Sequence, residues 1–223
     1  MSLGHLAAPS RTRTAHEHVR AALRAAILDG TLPAGARLVQ SELASAFSVS
    51  TTPVREALRD LATEGLVLFD AHRGALVRSL EIAEVREIYQ LRMTLEPLMV
   101  TRIINQLNDD QLDRAAELCA RMEHEPNRSR WVNLNRAFHA IFSEIDSASR
   151  LAGILAGLRD SAAPYVAVSL DARPKQISEA NAEHKQFVEI YRRRDEGAAV
   201  QLTIEHLRST LAVIEEAHAS GAL

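Results

Sequence analysis

The feature of this sequence that most restricts its fold is a helical periodicity that begins at Ile82 and continues to the end of the chain. Apolar residues recur there about every 3.6 positions, and this spacing predicts helices that each bury one face. Polar breaks divide the pattern into six predicted helices, at about 81–106, 109–124, 129–146, 149–168, 174–194 and 196–218. Because the connections are short, neighbouring helices should pack antiparallel. We therefore predict a six-helix antiparallel bundle over residues 80–220.

The first part of the chain predicts three short helices. The first runs from about Thr14 to Asp29 and ends at Gly30, a residue typical of the position after a helix. The second covers Glu42 to Phe47, with Ser41 as its N-cap. The third begins at Pro53, because proline is favoured in the first helical turn. Two short helices joined by a few residues are typical of a helix-turn-helix.

A β-hairpin is predicted after these three helices. Residues 66–69 and 75–78 are rich in strand-forming side chains, and the polar turn 70–74 lies between them. A hairpin in this position is the wing of a winged helix-turn-helix. The predicted fold class is therefore mainly α, with a winged helix-turn-helix in residues 14–79 followed by the helical bundle. We expect residues 1–13 to be a disordered N-terminal tail.

The third predicted helix has one apolar face and one polar face. The apolar positions follow the spacing i, i+3, i+4 and i+7, which predicts the side that packs on the other two helices. The polar face carries Thr51, Thr52, Arg55 and Arg59. Hydroxyl and guanidinium groups donate hydrogen bonds to base edges and phosphates, so this face can read DNA from the major groove. Alternatively, the arginines only solvate an exposed face and pair with Glu56 or Asp60.

The wing and the charge distribution also favour double-stranded DNA as a partner. Arg73 in the turn can reach a phosphate or the minor groove, and Gly74 allows close backbone approach. The net charge of the chain is −3, but its first 78 residues carry nine arginines against seven acidic residues. The basic excess thus lies where DNA binding is predicted. The residues predicted to contact DNA are Arg37, Ser41, Ser50, Thr51, Thr52, Arg55, Arg59, Arg73 and Gly74.

Residues 16–78 resemble the GntR family of bacterial regulators almost continuously. The resemblance is carried by GTLPAGARL at 30–38, ELA at 42–44, VSTTPVREAL at 49–58, EGLV at 64–67 and RG at 73–74. It implies a DNA-binding transcription regulator. Two positions depart from the family pattern: Thr51 stands where a base-contacting arginine is most frequent, and Ser48 stands where glycine is common. Without that arginine a bidentate contact to guanine is missing, so the operator sequence does not follow from the family.

Three properties of the sequence predict a cytoplasmic protein. Cys119 is the single cysteine, which excludes an intramolecular disulfide and fits a reducing compartment. No apolar run approaches the roughly 20 residues that are needed to cross a bilayer, so we expect no membrane partner. The N-terminus also lacks the apolar stretch of a secretion signal.

Histidines on three different predicted helices turn toward the centre of the bundle. Asn135 and His139 are four positions apart and therefore share one side of a helix. His184 lies on the apolar stripe of its helix, and His206 lies within the apolar arc of the last helix. An imidazole that faces an apolar interior needs a partner, which a metal ion can supply. The alternative is a set of hydrogen-bonded core histidines.

The helical part resembles the FadR-type C-terminal ligand domain, called the FCD domain, in its VanR-like branch with six helices. NRAFH at 135–139, EH at 183–184 and His206 carry this looser resemblance, which covers most of residues 82–218. It implies a divalent metal held by Asn135, His139, His184 and His206. The family usually has aspartate at the position of Asn135, and an amide oxygen is the weaker ligand. We expect zinc or nickel, because three imidazoles suit these ions.

Arg92 lies in the middle of an apolar stripe and must have an anionic partner. A guanidinium cannot lose its proton to escape the cost of burial. Glu96, one turn further along the helix, can form a structural ion pair with it. Alternatively, Arg92 binds the carboxylate of an effector above the metal, as the resemblance implies. Glu96 and Asn181, which is three residues before His184, are then further candidates for the effector site.

These features predict a bacterial transcription regulator, which we expect to be a repressor controlled by a small carboxylate metabolite. Two-fold symmetry of a homodimer would match a near-palindromic operator. The alternative from another functional class is a metal-dependent hydrolase that uses the three histidines to activate water. That enzyme would need a general base, for which Glu183 is the candidate.

Overall fold

The structure is a computed structural model that describes residues 14–70, 74–79, 81–173 and 175–220. In these residues it contains nine helices and three short strands. They are α1 (Ala15–Leu28), β1 (Arg37–Leu38), α2 (Gln40–Ala46), α3 (Thr51–Thr63), β2 (Val67–Asp70), β3 (Gly74–Val77), α4 (Ile82–Ile103), α5 (Asp109–Glu123), α6 (Arg128–Glu144), α7 (Arg150–Ala172), α8 (Lys175–Arg192) and α9 (Glu196–Ala219). The predicted fold class is confirmed, and all six bundle helices lie close to their predicted bounds. No helix in the described part of the chain is both long enough and apolar enough to cross a membrane.

The N-terminal part is built as a winged helix-turn-helix. The apolar positions predicted for the third helix form the buried side of α3, which packs against α1 and α2. They are Val54, Ala57, Leu58 and Leu61. β2 and β3 pair antiparallel in the predicted hairpin, with Val67 opposite Val77. The additional strand β1 pairs with the other edge of β3, so the order of the sheet is β1-β3-β2. A strand of two residues is too short to show an alternating pattern, and the sequence therefore did not predict it.

Two predicted helix starts are wrong by a few residues. Ser41 does not cap α2: Val39 is the N-cap, without a side-chain hydrogen bond, and Ser41 is the second residue of the helix. The third helix begins at Thr51 rather than Pro53, with Ser50 as its N-cap. Proline is tolerated at the third position because the first backbone N–H groups of a helix have no partner within it. Thr51 is therefore the first residue of α3 itself.

Ser48 occupies the turn between α2 and α3 with a φ of +55°. This left-handed conformation is unfavourable for a side chain with a Cβ atom, and it accounts for the glycine that is common at this position in the family that residues 16–78 resemble. We expect Ser48→Gly to raise the free energy of unfolding by about 0.5 to 1 kcal/mol, measured by urea denaturation. The matched control, Ser45→Gly inside α2, should instead destabilise the protein. Destabilisation by both substitutions would contradict this account of the turn.

The bundle has its own core and meets the N-terminal part along α7. Its largest cluster of buried side chains joins α4 to α9 and includes Trp131 and Phe138. The N-terminal part has a separate core, to which Ala163 of α7 also belongs. α1 contacts α7, and the turn after α1 lies close to it, since a Cβ atom on Gly30 would lie 3.1 Å from the Cβ of Ala167. The two parts therefore share a packed boundary between α1 and α7.

Candidate functional site

The predicted reading face of α3 is open to solvent. Thr51, Thr52, Arg55 and Arg59 are exposed, whereas the opposite side of the helix is buried. The alternative, in which the arginines pair with neighbouring acids, finds no support in the described residues. Asp60 instead binds His16, at 2.9 Å between Oδ2 and Nε2. The two guanidiniums are thus positioned to meet an anionic partner such as the phosphates of DNA.

The other predicted DNA contacts flank this helix in the chain. Ser41 and Ser50 are exposed on α2 and just before α3, and Arg37 is exposed on β1. Gly74 begins β3 with an exposed backbone and a φ of +79°, a conformation that glycine adopts without strain. Arg73 lies outside the described residues. A helix with exposed arginines beside a hairpin is the arrangement that winged proteins use to read DNA.

A cavity of about 420 Å³ lies within the helical part and reaches its boundary with α1. This volume is in the range of sites for small metabolites. Four of the residues predicted for the metal and effector sites line it, namely Arg92, Asn135, His139 and His206. His184 is fully buried and contacts His139 and His206 with ring centroids 5.2 and 5.4 Å apart. The structure therefore brings the predicted histidines together beside a ligand-sized space.

The three histidines form a compact set of nitrogen atoms. One ring nitrogen from each of His139, His184 and His206 lies within 4.8 Å of the others. Burial lowers the pKa of His139 and His184 well below the usual value of 6.5, and the nearby positive charges lower it further. At neutral pH these two imidazoles are therefore uncharged and keep a lone pair, which is the form that binds a metal ion.

Buried polar atoms without partners mark the same place. Both ring nitrogens of His184 and the Oδ1 atom of Asn135 have no hydrogen-bond partner among the described residues. Leaving such an atom unsatisfied in the interior costs about 1 to 3 kcal/mol. Apart from the two other histidines, His184 contacts the aromatic rings of Trp131 and Phe138, which offer it no acceptor. His184 is therefore not a hydrogen-bonded core histidine. A metal ion fits its unpaired ring nitrogens and the unpaired Oδ1 atom of Asn135.

Glu183 orients His206 toward the other histidines. The Oε2 atom of Glu183 lies 2.5 Å from Nδ1 of His206, so that Nε2 is the free nitrogen of the ring. A carboxylate behind a histidine is the usual means of fixing the tautomer and orientation of a metal ligand. Glu183 is therefore engaged with the ring and is not held as a general base, as the hydrolase alternative required.

Arg92 takes part in a buried ion pair and also borders the cavity. Its Nε atom donates to Oε1 of Glu96 at 2.9 Å. Arg159 binds the same carboxylate through Nε at 3.3 Å and Nη2 at 3.0 Å. Both interpretations of Arg92 are thus compatible, because Glu96 fixes one edge of the guanidinium while other N–H groups remain for a ligand. Glu96 lines a separate small pocket rather than the large cavity.

The placement of Asn181 does not support its predicted contact with an effector. Its Oδ1 atom accepts a hydrogen bond from Nε1 of Trp131 at 3.0 Å, and its Nδ2 donates to the carbonyl of Met122. Asn181 is absent from the wall of the large cavity, whereas Trp131 is part of it. Its role is to fix the indole, which the position of Asn181 three residues before His184 could not reveal.

Sequence reasoning missed Arg159, which lines the cavity and is the second arginine, after Arg92, that binds the Glu96 carboxylate. A signal was present, because Arg159 and Asp160 are the only charged residues in the mostly apolar stretch 151–170. Arg24 and Arg136 were also missed, although both line the cavity. Arg24 belongs to α1, so no pattern within the helical part could have indicated it.

Both parts of the chain match known protein families. Residues 15–77 match the bacterial regulatory proteins of the gntR family, and residues 87–209, more than half of the chain, match the FCD domain. The HTH-type transcriptional regulator YdhC of Bacillus subtilis strain 168 is 28% identical over 190 residues, which are 82% of this chain and 84% of that protein. The HTH-type transcriptional repressor GlaR of Escherichia coli strain K12 is 25% identical over 205 residues, which are 87% of this chain and 93% of that protein.

Solved structures show the same fold. E. coli McbR/YncC superimposes with a TM-score of 0.84 at 20% identity, covering 93% of this chain and 100% of that chain. A putative transcriptional regulator GntR from Rhodococcus sp. RHA1 superimposes with a TM-score of 0.79 at 24% identity, covering 91% of this chain and 98% of that chain. At these identities the likeness concerns the fold alone.

The family matches decide between the two predicted functional classes. The relatives with assigned roles are transcription regulators, and several are repressors, such as the gluconate operon transcriptional repressor of Bacillus licheniformis. The hydrolase alternative is therefore wrong, in agreement with the engagement of Glu183 by His206. The chain belongs to the GntR family of bacterial regulatory proteins, as a DNA-binding transcription regulator with a C-terminal FCD domain.

Proposed function

We propose that this regulator is a repressor whose affinity for its operator is controlled by a small carboxylate metabolite. The observation that carries the proposal is the cavity of about 420 Å³. Arg92, His139 and His206 line this cavity, and His184 lies behind its wall, next to the two other histidines. Residues 14–79 would bind DNA, and residues 80–220 would bind the effector and mediate dimerisation. A ligand that prefers one packing of the helices shifts the population toward it, and this changes the DNA-binding state.

The operator is proposed to be near-palindromic and to be bound by a homodimer. One chain presents one reading helix, α3, and a two-fold DNA site requires two such helices in symmetric positions. Exposed Arg55 and Arg59 would contact bases and phosphates from that helix, with Thr51 and Thr52 at its start. Arg37, Ser41, Ser50, Arg73 and Gly74 are proposed as further contacts.

A divalent ion is proposed at the floor of the cavity, with zinc or nickel as the preferred ions. His139, His184, His206 and the Oδ1 atom of Asn135 would hold it, since the three histidine nitrogens are close together and Asn135 lines the same cavity. The Oδ1 atom of Asn135 and both ring nitrogens of His184 have no other partner among the described residues. Such an ion would supply a positive charge to which a carboxylate is attracted. Arg92 would bind the same carboxylate from the side of α4, fixed in place by Glu96.

The effector proposal is tested by thermal-shift screening of sugar acids, hydroxy acids, dicarboxylates and amino acids. A ligand that binds only the folded state should raise the melting temperature of the wild type, and Arg92→Ala should abolish this shift. The matched control is Arg193→Ala in the exposed turn just after α8, which should respond as the wild type does.

The same ligand should weaken the complex with DNA from the promoter of the regulator's own gene in a gel shift. The Arg92→Ala protein should bind this DNA and no longer release it when the ligand is added. If the acid stabilises the Arg92→Ala protein as strongly as the wild type, the cavity is not its binding site.

A further inference from the structure

A second group of charged residues borders the cavity where α1 meets α6 and α7. Arg24 of α1, Arg136 of α6 and Asp160 of α7 all line it. The Asp160 carboxylate is shared: its Oδ1 accepts from Nη2 of Arg136 at 3.1 Å, and its Oδ2 accepts from Nη2 of Arg24. Two guanidiniums from different parts of the protein thus converge on one carboxylate at the cavity wall.

The charges in this group do not balance. Arg24 also binds Glu64 through Nε at 2.8 Å, and Arg20 binds the other oxygen of Glu64 at 3.1 Å. Arg20, Arg24 and Arg136 therefore share two carboxylates, which leaves an excess of one positive charge. Arginine stays protonated, and Arg24 and Arg136 are about one-third exposed, so solvent compensates this charge only in part.

The ion pairs near the histidines leave a second, separate excess. Arg92 and Arg159 share the single carboxylate of Glu96, again with one positive charge left over. Arg159 and Asp160 are neighbours on α7 but belong to different groups of ion pairs. Arg159 binds Glu96, whereas Asp160 binds Arg24 of α1. Among the described residues no ion pair connects the two groups. One cavity is thus bordered by two cationic centres.

We propose that the cavity binds a dicarboxylate whose second carboxylate is held by Arg24 and Arg136. This inference rests on the proposed role of the cavity as the effector site and adds the chemical class of the ligand. The first carboxylate lies at Arg92, and the second competes with Asp160 for the N–H groups of the two guanidiniums. Charge-assisted hydrogen bonds at both ends give selectivity for a ligand with two acid groups.

The second subsite also explains how the DNA-binding part senses the ligand. Arg24 lies on α1, which packs against the reading helix α3. The pair of Arg24 with Asp160 is a charged contact across the boundary between the two parts. A ligand carboxylate that takes the place of Asp160 changes this contact directly. The two states of the boundary then differ in affinity for the ligand, which is what a population shift requires.

Calorimetric titration of the full-length protein tests the inference. The probes are unbranched dicarboxylates of four to eight carbons, each compared with the monocarboxylate of equal carbon number. The wild type should prefer a dicarboxylate of matching length by about tenfold or more. In Arg136→Gln and Arg24→Gln this preference should largely disappear, while the affinity for the monocarboxylate stays the same.

A third variant should act in the opposite direction. Asp160→Asn removes the internal competitor, and it should raise the affinity for the dicarboxylate several-fold without changing that for the monocarboxylate. Loss of folding cannot produce such a gain.

The inference is overturned if no dicarboxylate binds the wild type, if the wild type shows no preference, or if both arginine variants retain the preference. Arg92→Ala separates this outcome from failure of the effector site itself. Binding that survives Arg92→Ala argues against the effector site, whereas binding that needs Arg92 but shows no dicarboxylate preference argues only against the second subsite.

Discussion

The Glu96→Gln protein should have a free energy of unfolding about 3 to 5 kcal/mol lower than that of the wild type at neutral pH, because the buried guanidinium of Arg92 and the partly buried one of Arg159 lose their shared anion. Glu96 accepts hydrogen bonds from both Arg92 and Arg159, and its side chain is only 8% exposed. Neither arginine can become neutral, so the loss of the carboxylate charge cannot be relieved by a proton. Urea denaturation of the two proteins measures the difference.

The pH dependence of this difference identifies its cause. Burial alone would raise the pKa of the Glu96 carboxyl, but the charges and hydrogen bonds of Arg159 and Arg92 outweigh it and lower the pKa from 4.5 to about 2. A carboxyl whose pKa is lowered by folding contributes stability above its unfolded pKa and loses it as the pH falls through the folded value. The difference in free energy of unfolding between the wild type and Glu96→Gln should therefore be complete at neutral pH, and it should disappear progressively as the pH falls from about 4.5 to 2.

Glu144→Gln is the matched control for this prediction. Glu144 also binds an arginine through two hydrogen bonds, to Arg114, but the pair is exposed. Solvent screens an exposed pair, and its loss should change the stability little. Equal effects of the two substitutions, or a Glu96→Gln effect that does not change with pH, would show that the buried charges are not what Glu96 stabilises.

The order of elements and the histidine cluster were predictable because they depend on patterns that are local in the sequence. The period of 3.6 fixed the six bundle helices, and the inward positions of His139, His184 and His206 followed from the faces of their own helices. The starts of α2 and α3 were not predictable to the residue, since Ser41 and Pro53 are each favourable at more than one position of a first turn.

Contacts between distant residues account for what the sequence did not predict. Arg159 reaches Glu96 across 63 positions, and Arg24 reaches Asp160 across 136. No periodicity encodes such pairs, because they depend on how whole helices pack. Asn181 illustrates the same limit, since it was predicted to line the effector cavity, whereas its partner is the Trp131 indole. The helix faces could thus be predicted, whereas the partners across them could not.

The metal proposal predicts opposite effects of one substitution with and without the ion. Without metal, His184→Leu should stabilise the protein by about 1 to 3 kcal/mol, because it removes two buried nitrogens that have no hydrogen-bond partner. With zinc at about 1,000 times its dissociation constant, the wild type should gain about 4.1 kcal/mol and the variant nothing, so that the variant becomes the less stable of the two proteins. A histidine satisfied within the core would behave differently, since its replacement would destabilise the protein under both conditions.

Asn135 makes the same site testable by a gain of affinity. Its Oδ1 atom is buried without a partner, and Asn135→Asp places a charged carboxylate oxygen there instead of a neutral amide oxygen. A carboxylate is the stronger ligand for a divalent ion, so zinc or nickel should bind about tenfold more tightly, as measured by competition with a chelating dye. His124→Ala, an exposed histidine at the end of α5, is the control and should leave the metal content unchanged. If His184→Leu retains the ion, or if Asn135→Asp binds it no better than the wild type, the four residues do not form the site, and the carboxylate ligand would depend on Arg92 alone.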